Sequence, residues 1–282
     1  MRGALKQVAV LAVGVLVGAT LFAARPGTSA TASAAATASA TPSAARGAGP
    51  LPGFSKAVFL SHVNDPKQTP LFPGDPKFTL TTAFTVPKDG FYLQYVKEGE
   101  HTGTHWGAPC HFHTNELCAD KLSPADFFRP AVVIDVRRQS AANADFQVSV
   151  ADLQRFEAAH GRIPADAAVI AWTGWGPKWG TPAYMNLDKQ GNVHQPGFSI
   201  ESVRWLLANR HIGALGTDTF GPDPGLDTQF RESSLIFHAH RIDLENMTGL
   251  EQLPATGGFI IVGGPRNRNG SGSPATIFGL VP

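Results

Sequence analysis

The chain has 282 residues, 43% of them apolar, and a formal charge of +1. That balance excludes a polycation built to hold nucleic acid and an acidic tail protein, and it leaves enough apolar matter for one sizeable core. With 30 glycines and 22 prolines the chain favours many turns and few long helices.

Arg2 and Lys6 precede an uncharged, apolar stretch from Val8 to Ala24. Small residues at Ala30-Thr31-Ala32 and Ala32-Ser33-Ala34 offer cleavage sites. Residues 1–32 read as a signal peptide that exports the chain to the cell envelope or medium. An uncleaved anchor is the alternative, although the apolar run is shorter than the ~20 residues a span needs. Residues 33–53 are almost all Ala, Thr, Ser, Gly and Pro. They cannot bury enough apolar surface to offset their ordering entropy and read as a disordered spacer. One folded domain is expected over 54–282, with no membrane contact after signal cleavage.

Within the domain, residues 57–62 read as a first strand and 66–76 as an ordered loop rich in proline. Strands are expected over 78–86 and 91–96, where Thr, Phe, Leu, Tyr and Val dominate. Ser123 followed by Pro124 marks the start of a short helix. Residues 131–136 form a continuous apolar run, as does 167–172, so both read as strands buried on two faces. Ser149 and Ser199 are positioned to cap helices reaching about His160 and Asn209. Further strands are expected at 212–215, 259–262 and 275–281. Buried strands alternating with helices, beside hairpin-like stretches near the start, give an α/β single domain with a mixed sheet and flanking helices.

The densest chemistry lies at 100–113, where His101, His105, His111 and His113 fall within fourteen positions. Neutral imidazole is the commonest protein metal ligand, and two histidines four apart around Gly103 can converge on one ion from a tight turn. Cys110 and Cys118 follow closely. In an oxidising compartment they read as a disulfide; a thiolate ligand at Cys110 is the competing reading. The aromatic residues Trp106, Phe112, Trp172, Trp175 and Trp179 are candidate walls of a pocket for a flat substrate, with Trp106 foremost.

The segment His101-x-Gly103-Thr104-His105, followed by Pro109 and His111, resembles the fingerprint His-x-Gly-Thr-His-x-Asp-x-Pro-x-His of the cyclase family of metal-dependent hydrolases, which includes arylformamidases and isatin hydrolases. Leu60-Ser61-His62 with Pro70–Gly74, Trp172-Thr173-Gly174-Trp175, Gly216-Thr217-Asp218-Thr219, Leu244-Glu245-Asn246-Met247 and Gly272-Ser273-Pro274 resemble its later motifs in order. The resemblance implies the family's swivelling β/β/α fold and a divalent metal, zinc or manganese. It further implies hydrolysis of a formamide, cyclic amide or lactone, and it allows a homo-oligomer. By position it makes His101 and His105 metal ligands, His111 a second-site ligand or proton shuttle, and Glu245 a ligand or general acid/base. The substrate is expected to be a small molecule with an aromatic part.

Two positions depart from the pattern. The family aspartate falls at Gly107, and a second histidine twelve residues before the late glutamate falls at Ser233. His113, Cys110, Asp218 and Glu100 are the candidate replacements for the missing ligand, and His238 and His240 lie near Ser233 but out of register. These departures keep a second reading open: a family member that binds a small molecule or metal without turnover.

Overall fold

The computed structural model describes residues 53–282, so the expected signal peptide and nearly all of the spacer lie outside the described residues. The strands are β1 (Lys56–Phe59), β2 (Thr79–Phe84), β3 (Leu93–Lys97), β4 (His105–Gly107), β5 (Phe128–Asp135), β6 (Gln147–Val148), β7 (Ala168–Trp172), β8 (Gly197–Phe198), β9 (Ala214–Thr217), β10 (Ile242–Glu245), β11 (Gly258–Val262), β12 (Gly272–Pro274) and β13 (Ile277–Val281). The helices are α1 (Val86–Asp89), α2 (Arg137–Ala142), α3 (Val150–His160), α4 (Pro182–Met185), α5 (Ile200–Arg210) and α6 (Arg231–His238).

Nine strands make one mixed sheet in the order β1-β13-β11-β5-β7-β9-β10-β4-β12. Its centre, β5-β7-β9-β10, is parallel. Antiparallel strands extend it on both sides. Helix crossovers explain the parallel centre, since parallel neighbours need a long return connection. The fold is therefore the α/β architecture expected from the sequence.

The continuous apolar runs are buried on both faces, as period-2 geometry requires. Along β5, Ala131 and Val133 enter one core cluster with Trp106, Leu244 and Ile260. Val132 and Ile134 enter the other, under Leu153 and Phe156 of α3, Val203 and Leu206 of α5, and Ile236 and Phe237 of α6. Helix starts follow their caps. Ser149 Oγ accepts from the Asp152 amide while Asp152 accepts from the Ser149 amide, closing a capping box on α3. Ser199 Oγ accepts from the Ser202 amide at 3.2 Å on α5. Ser123 closes a similar box on the 3-10 turn Pro124–Phe127.

β2 and β3 pair only with each other. The hairpin they form carries Phe84, Val86, Phe91, Tyr92, Leu93, Tyr95 and Val96 on exposed positions. Among the described residues no helix is long and apolar enough to cross a membrane.

Candidate functional site

The site is built where two short strands meet. β4 pairs antiparallel with β10 in the register His105↔Glu245, Trp106↔Leu244 and Gly107↔Asp243. Side chains alternate across a sheet, so His105, Gly107, Asp243 and Glu245 share one face. Trp106 and Leu244 take the other and are wholly buried in the core. The expectation that Trp106 walls a pocket is corrected by this alternation: its ring packs edge-on against Phe127, 5.1 Å between centroids.

The turn before β4 is fixed by buried hydrogen bonds. Gly103 has φ +68°, and a Cβ there would overlap the Asn64 carboxamide, so only glycine fits. The Gly103 carbonyl accepts from Asn246 Nδ2 at 2.9 Å and from His105 Nδ1 at 2.9 Å. Thr104 Oγ1 donates to the Asn246 carbonyl at 2.6 Å. Tyr184 Oη lies 2.7 Å from Asn246 Oδ1. Asn246, next to Glu245, thus clamps the histidine turn to β10.

Hydrogen bonding sets the tautomers. A carbonyl can only accept, so His105 carries its proton on Nδ1 and presents a bare Nε2. That nitrogen is buried, has no hydrogen-bond partner, and faces Glu245 Oε2 at 3.1 Å. Ser271 donates through both its amide and its hydroxyl to Glu100 Oε2, at 2.7 and 2.9 Å. Its Oγ is then left to accept from His101 Nε2 at 3.0 Å, which leaves His101 Nδ1 as the lone pair. The His101 ring stacks on His111 at 3.9 Å and meets His105 edge-on at 4.9 Å.

Burial holds the three histidines neutral. Desolvation, with the neighbouring His105 and His111 adding to it, pushes His101 down to about 2. Burial and then His105 push His111 down to about 4. Desolvation also lowers His105, against the opposing pull of the Gly103 carbonyl. Burial raises the Glu245 and Asp243 carboxyls well above the usual carboxylate range. Neutral imidazoles and a carboxylate with no cationic partner form a donor set that fits a zinc or manganese ion. Two ligands of one such ion lie about 3 Å apart, as His105 Nε2 and Glu245 Oε2 do.

His101, His105, His111 and Glu245 line a cavity of about 500 Å³. Phe72, Phe112, Phe220, Phe230, Val193 and Leu226 form its apolar wall, and Asp75 joins the histidines and Glu245 on the polar side. Phe112 stacks on Phe230 at 5.6 Å. The Cys110–Cys118 disulfide closes the loop that carries Phe112, as the oxidising-compartment reading expects.

The candidate replacements for the family aspartate are elsewhere. Cys110 is in the disulfide. His113 is tied to the Ser234 carbonyl at 2.8 Å on the outer side of α6. Asp218 accepts from Thr173 Oγ1 and from the Thr173 and Trp175 amides, so its oxygens are spent on the turn after β7. Glu100 binds Ser271, which in turn accepts from His101, and its charge works against the lowering of His111. His238 sits against His113, and His240 pairs with Glu116 at 2.9 Å, both away from the cavity. Trp175 is buried against Tyr184, and Trp172 lies under the Arg137 guanidinium, neither lining the cavity. Ser233 does reach the cavity, where its hydroxyl donates to Asp223.

Among the described residues, the one trio of ligand atoms all within 4.8 Å of one another is Asp223, Asp227 and Glu232; the histidine floor is more open. The trio is used by α6 itself. Asp223 accepts from the Glu232 and Ser233 amides, and Asp227 from Arg231 Nε at 2.7 Å.

The family model described as "Putative cyclase" matches residues 58–224, more than half of the chain. The chain belongs to the cyclase family. An isatin hydrolase of Roseibium aggregatum is 31% identical over 218 residues, 73% of this chain and 82% of its own length. The structure of isatin hydrolase A from Labrenzia aggregata bound to benzyl benzoate is 30% identical with a TM-score of 0.75, over 80% of this chain and 93% of that one. The enzyme of the same name from Ralstonia solanacearum gives 31% and 0.74, over 80% and 92%. A structure described as a potential metal-dependent hydrolase with cyclase activity, 16% identical with a TM-score of 0.61, shares the fold.

Two positions escaped sequence reasoning. Asp75 lies at the end of the proline-rich loop, and Asp243 opens no motif of its own. An acidic residue two before Glu245 on a strand was the available signal, since period 2 puts both on one face.

Proposed function

We propose that this chain is an exported, metal-dependent hydrolase that opens a cyclic amide or lactone, or cleaves a formamide, carrying an aromatic group. One observation carries the reading: a bare, buried His105 Nε2 faces Glu245 at 3.1 Å on the floor of a phenylalanine-lined cavity. An acceptor nitrogen against a carboxylate calls for a shared cation. His101 and His105 would hold the ion with Glu245. When bound, it would lower the pKa of water and polarise the substrate carbonyl.

The remaining chemistry belongs to the side chains. In the hydrolysis a C–O bond forms between water and the carbonyl carbon, the C–N or C–O bond of the substrate breaks, and the leaving atom takes a proton. His111, neutral and on the cavity wall, accepts the water proton and returns it to the leaving atom. Phe72, Phe112, Phe220 and Phe230 exclude water and seat an aromatic ring. The isatin hydrolase relatives and the shared fold support hydrolysis. The disulfide and the apolar N-terminal run support export.

The test is a panel of isatin-type cyclic amides, N-formyl anilides and aryl lactones, run with zinc or manganese. Ring opening or deformylation by the wild type, lost in His105→Ala, is expected. Gly107 and Ser233 favour one other reading, binding without turnover. Saturable binding of a panel member to metal-loaded protein, with no product from any, would establish that reading instead.

A further inference from the structure

Gly107 deprives the site of the carboxylate that its histidine motif would otherwise supply, yet the space beside it is filled. A Cβ built on Gly107 would lie 2.5 Å from Asp243 Oδ1 and 2.8 Å from Phe237 Cζ. Within an aspartate, the Cβ and a carboxylate oxygen are about 2.4 Å apart by covalent geometry. Asp243 Oδ1 therefore stands about as far from the Gly107 Cβ position as an oxygen of an aspartate at 107 would. The register explains how: Asp243 is the direct antiparallel partner of Gly107, with its side chain on the same sheet face as His105 and Glu245.

Asp243 is held but not satisfied. Oδ1 accepts from the Gly107 amide at 2.9 Å. Oδ2 is buried and has no hydrogen-bond partner, and the residue as a whole is 1% exposed. Among the described residues no Lys or Arg pairs with it, and the titratable groups that act on it are Glu245 and His105. Two buried carboxylates with no cation are costly unless one takes a proton or a cation joins them.

We propose that Asp243 is a carboxylate ligand of the divalent-cation site, presenting Oδ2 from β10 in place of the side chain that Gly107 lacks on β4. The carboxylate has crossed the strand pair, and Phe237 now occupies the remaining room at 107. This inference rests on the metal-site reading above and assigns it a ligand of this chain's own.

The experiment compares wild type, Asp243→Asn and His105→Ala, each stripped with chelator and then titrated with Mn²⁺, following bound metal and Tm. Asn keeps the acceptor for the Gly107 amide and replaces Oδ2, the proposed ligand atom, with an NH2 group that cannot bind a cation. The wild type should bind about one Mn²⁺, and Asp243→Asn should bind it at least tenfold more weakly and lose the metal-dependent rise in Tm. Metal-free Asp243→Asn should melt close to metal-free wild type, because the carboxamide keeps the shape of the side chain and the contact with the Gly107 amide. A role confined to packing predicts the reverse: a lower metal-free Tm and unchanged affinity. Affinity within tenfold of wild type would overturn the proposal while leaving the site itself intact. Wild type that takes up no Mn²⁺ would instead remove the metal-site reading, and this ligand with it. Should Asp243→Asn not fold, Gly107→Asp/Asp243→Ala/Phe237→Leu is the second variant, the leucine clearing the Phe237 ring atom that lies 2.8 Å from the Cβ position at 107. Mn²⁺ binding within tenfold of wild type by that variant supports the crossing, and weaker binding counts against it.

Discussion

Asn246 joins several parts of the site at once. Its side chain holds the Gly103 carbonyl, its backbone carbonyl takes the Thr104 hydroxyl, and Tyr184 holds its Oδ1. Asn246→Ala would take the Nδ2 donor from the Gly103 carbonyl, leave Tyr184 Oη with the Asp218 carbonyl alone, and place a Cβ residue with no polar side chain at φ +53°. We expect a loss of about 2–4 kcal/mol in urea unfolding, with weakened metal binding because the histidine turn is freed. A loss under about 1 kcal/mol would show that the clamp is dispensable. His62 gives a pH prediction. Its ring stacks on Trp179 at 3.9 Å, its Nε2 has no partner, and burial pushes it down to about 4 from 6.5. The folded state therefore resists a proton that the unfolded state accepts. Stability from this group is present above about pH 6.5 and lost as the pH falls toward 4. His62→Phe keeps the stack and removes the proton site. Its fall in Tm between pH 7 and 4.5 should be smaller than the wild type's by about 2–4 °C, the shift given by about 1 kcal/mol in a domain of this size. Equal falls would rule out His62 as the sensor. At this scale the histidine residues were legible in the sequence, because their spacing is dense. Their tautomers and the carboxylate from Asp243 were not, because both depend on partners far along the chain.

The elements divide the same way. The long apolar runs at β5 and β7 and the serine-capped α3 and α5 appear where their local patterns place them. The strands that build the site do not announce themselves. β4 and β12 have three residues each and β10 has four, too short for a period to emerge, and their pairing is set by contacts over more than 130 positions. The β2–β3 hairpin was legible as strands but not as an arm apart from the main sheet. It exposes seven large apolar side chains on one short excursion. A two-stranded hairpin is marginal alone, and soluble monomers rarely leave so large an apolar patch uncovered. A second copy of the chain is the expected cover, in line with the homo-oligomer that the family resemblance allows. Light scattering on a sizing column should give at least twice the monomer mass for wild type and a lower mass for Tyr95→Lys/Val96→Lys. A monomeric wild type at micromolar concentration would exclude this use of the arm.

Across the whole molecule, the candidate site brings together segments that lie far apart in the sequence. His101 comes from the turn before β4, His105 from β4 and Glu245 from β10, while the cavity wall draws on the 66–76 loop and the entry to α6. An ion held by the first three would bind the folded chain and not the unfolded one, so it should stabilise the entire domain by mass action. At a free metal concentration one hundred times Kd the gain is about 2.7 kcal/mol. For a domain of this length that corresponds to a rise in Tm of about 5–10 °C. The rise should vanish with chelator and be absent from His105→Ala, whose metal-free Tm supplies the baseline. Burial raises the Glu245 carboxyl, which must lose its proton to take the ion, so the gain should also shrink as the pH falls and be greatest at neutral pH and above. A Tm that ignores zinc and manganese across that range would mean that the bare His105 nitrogen is answered by a proton from Glu245. The cavity would then be a binding pocket without a metal centre.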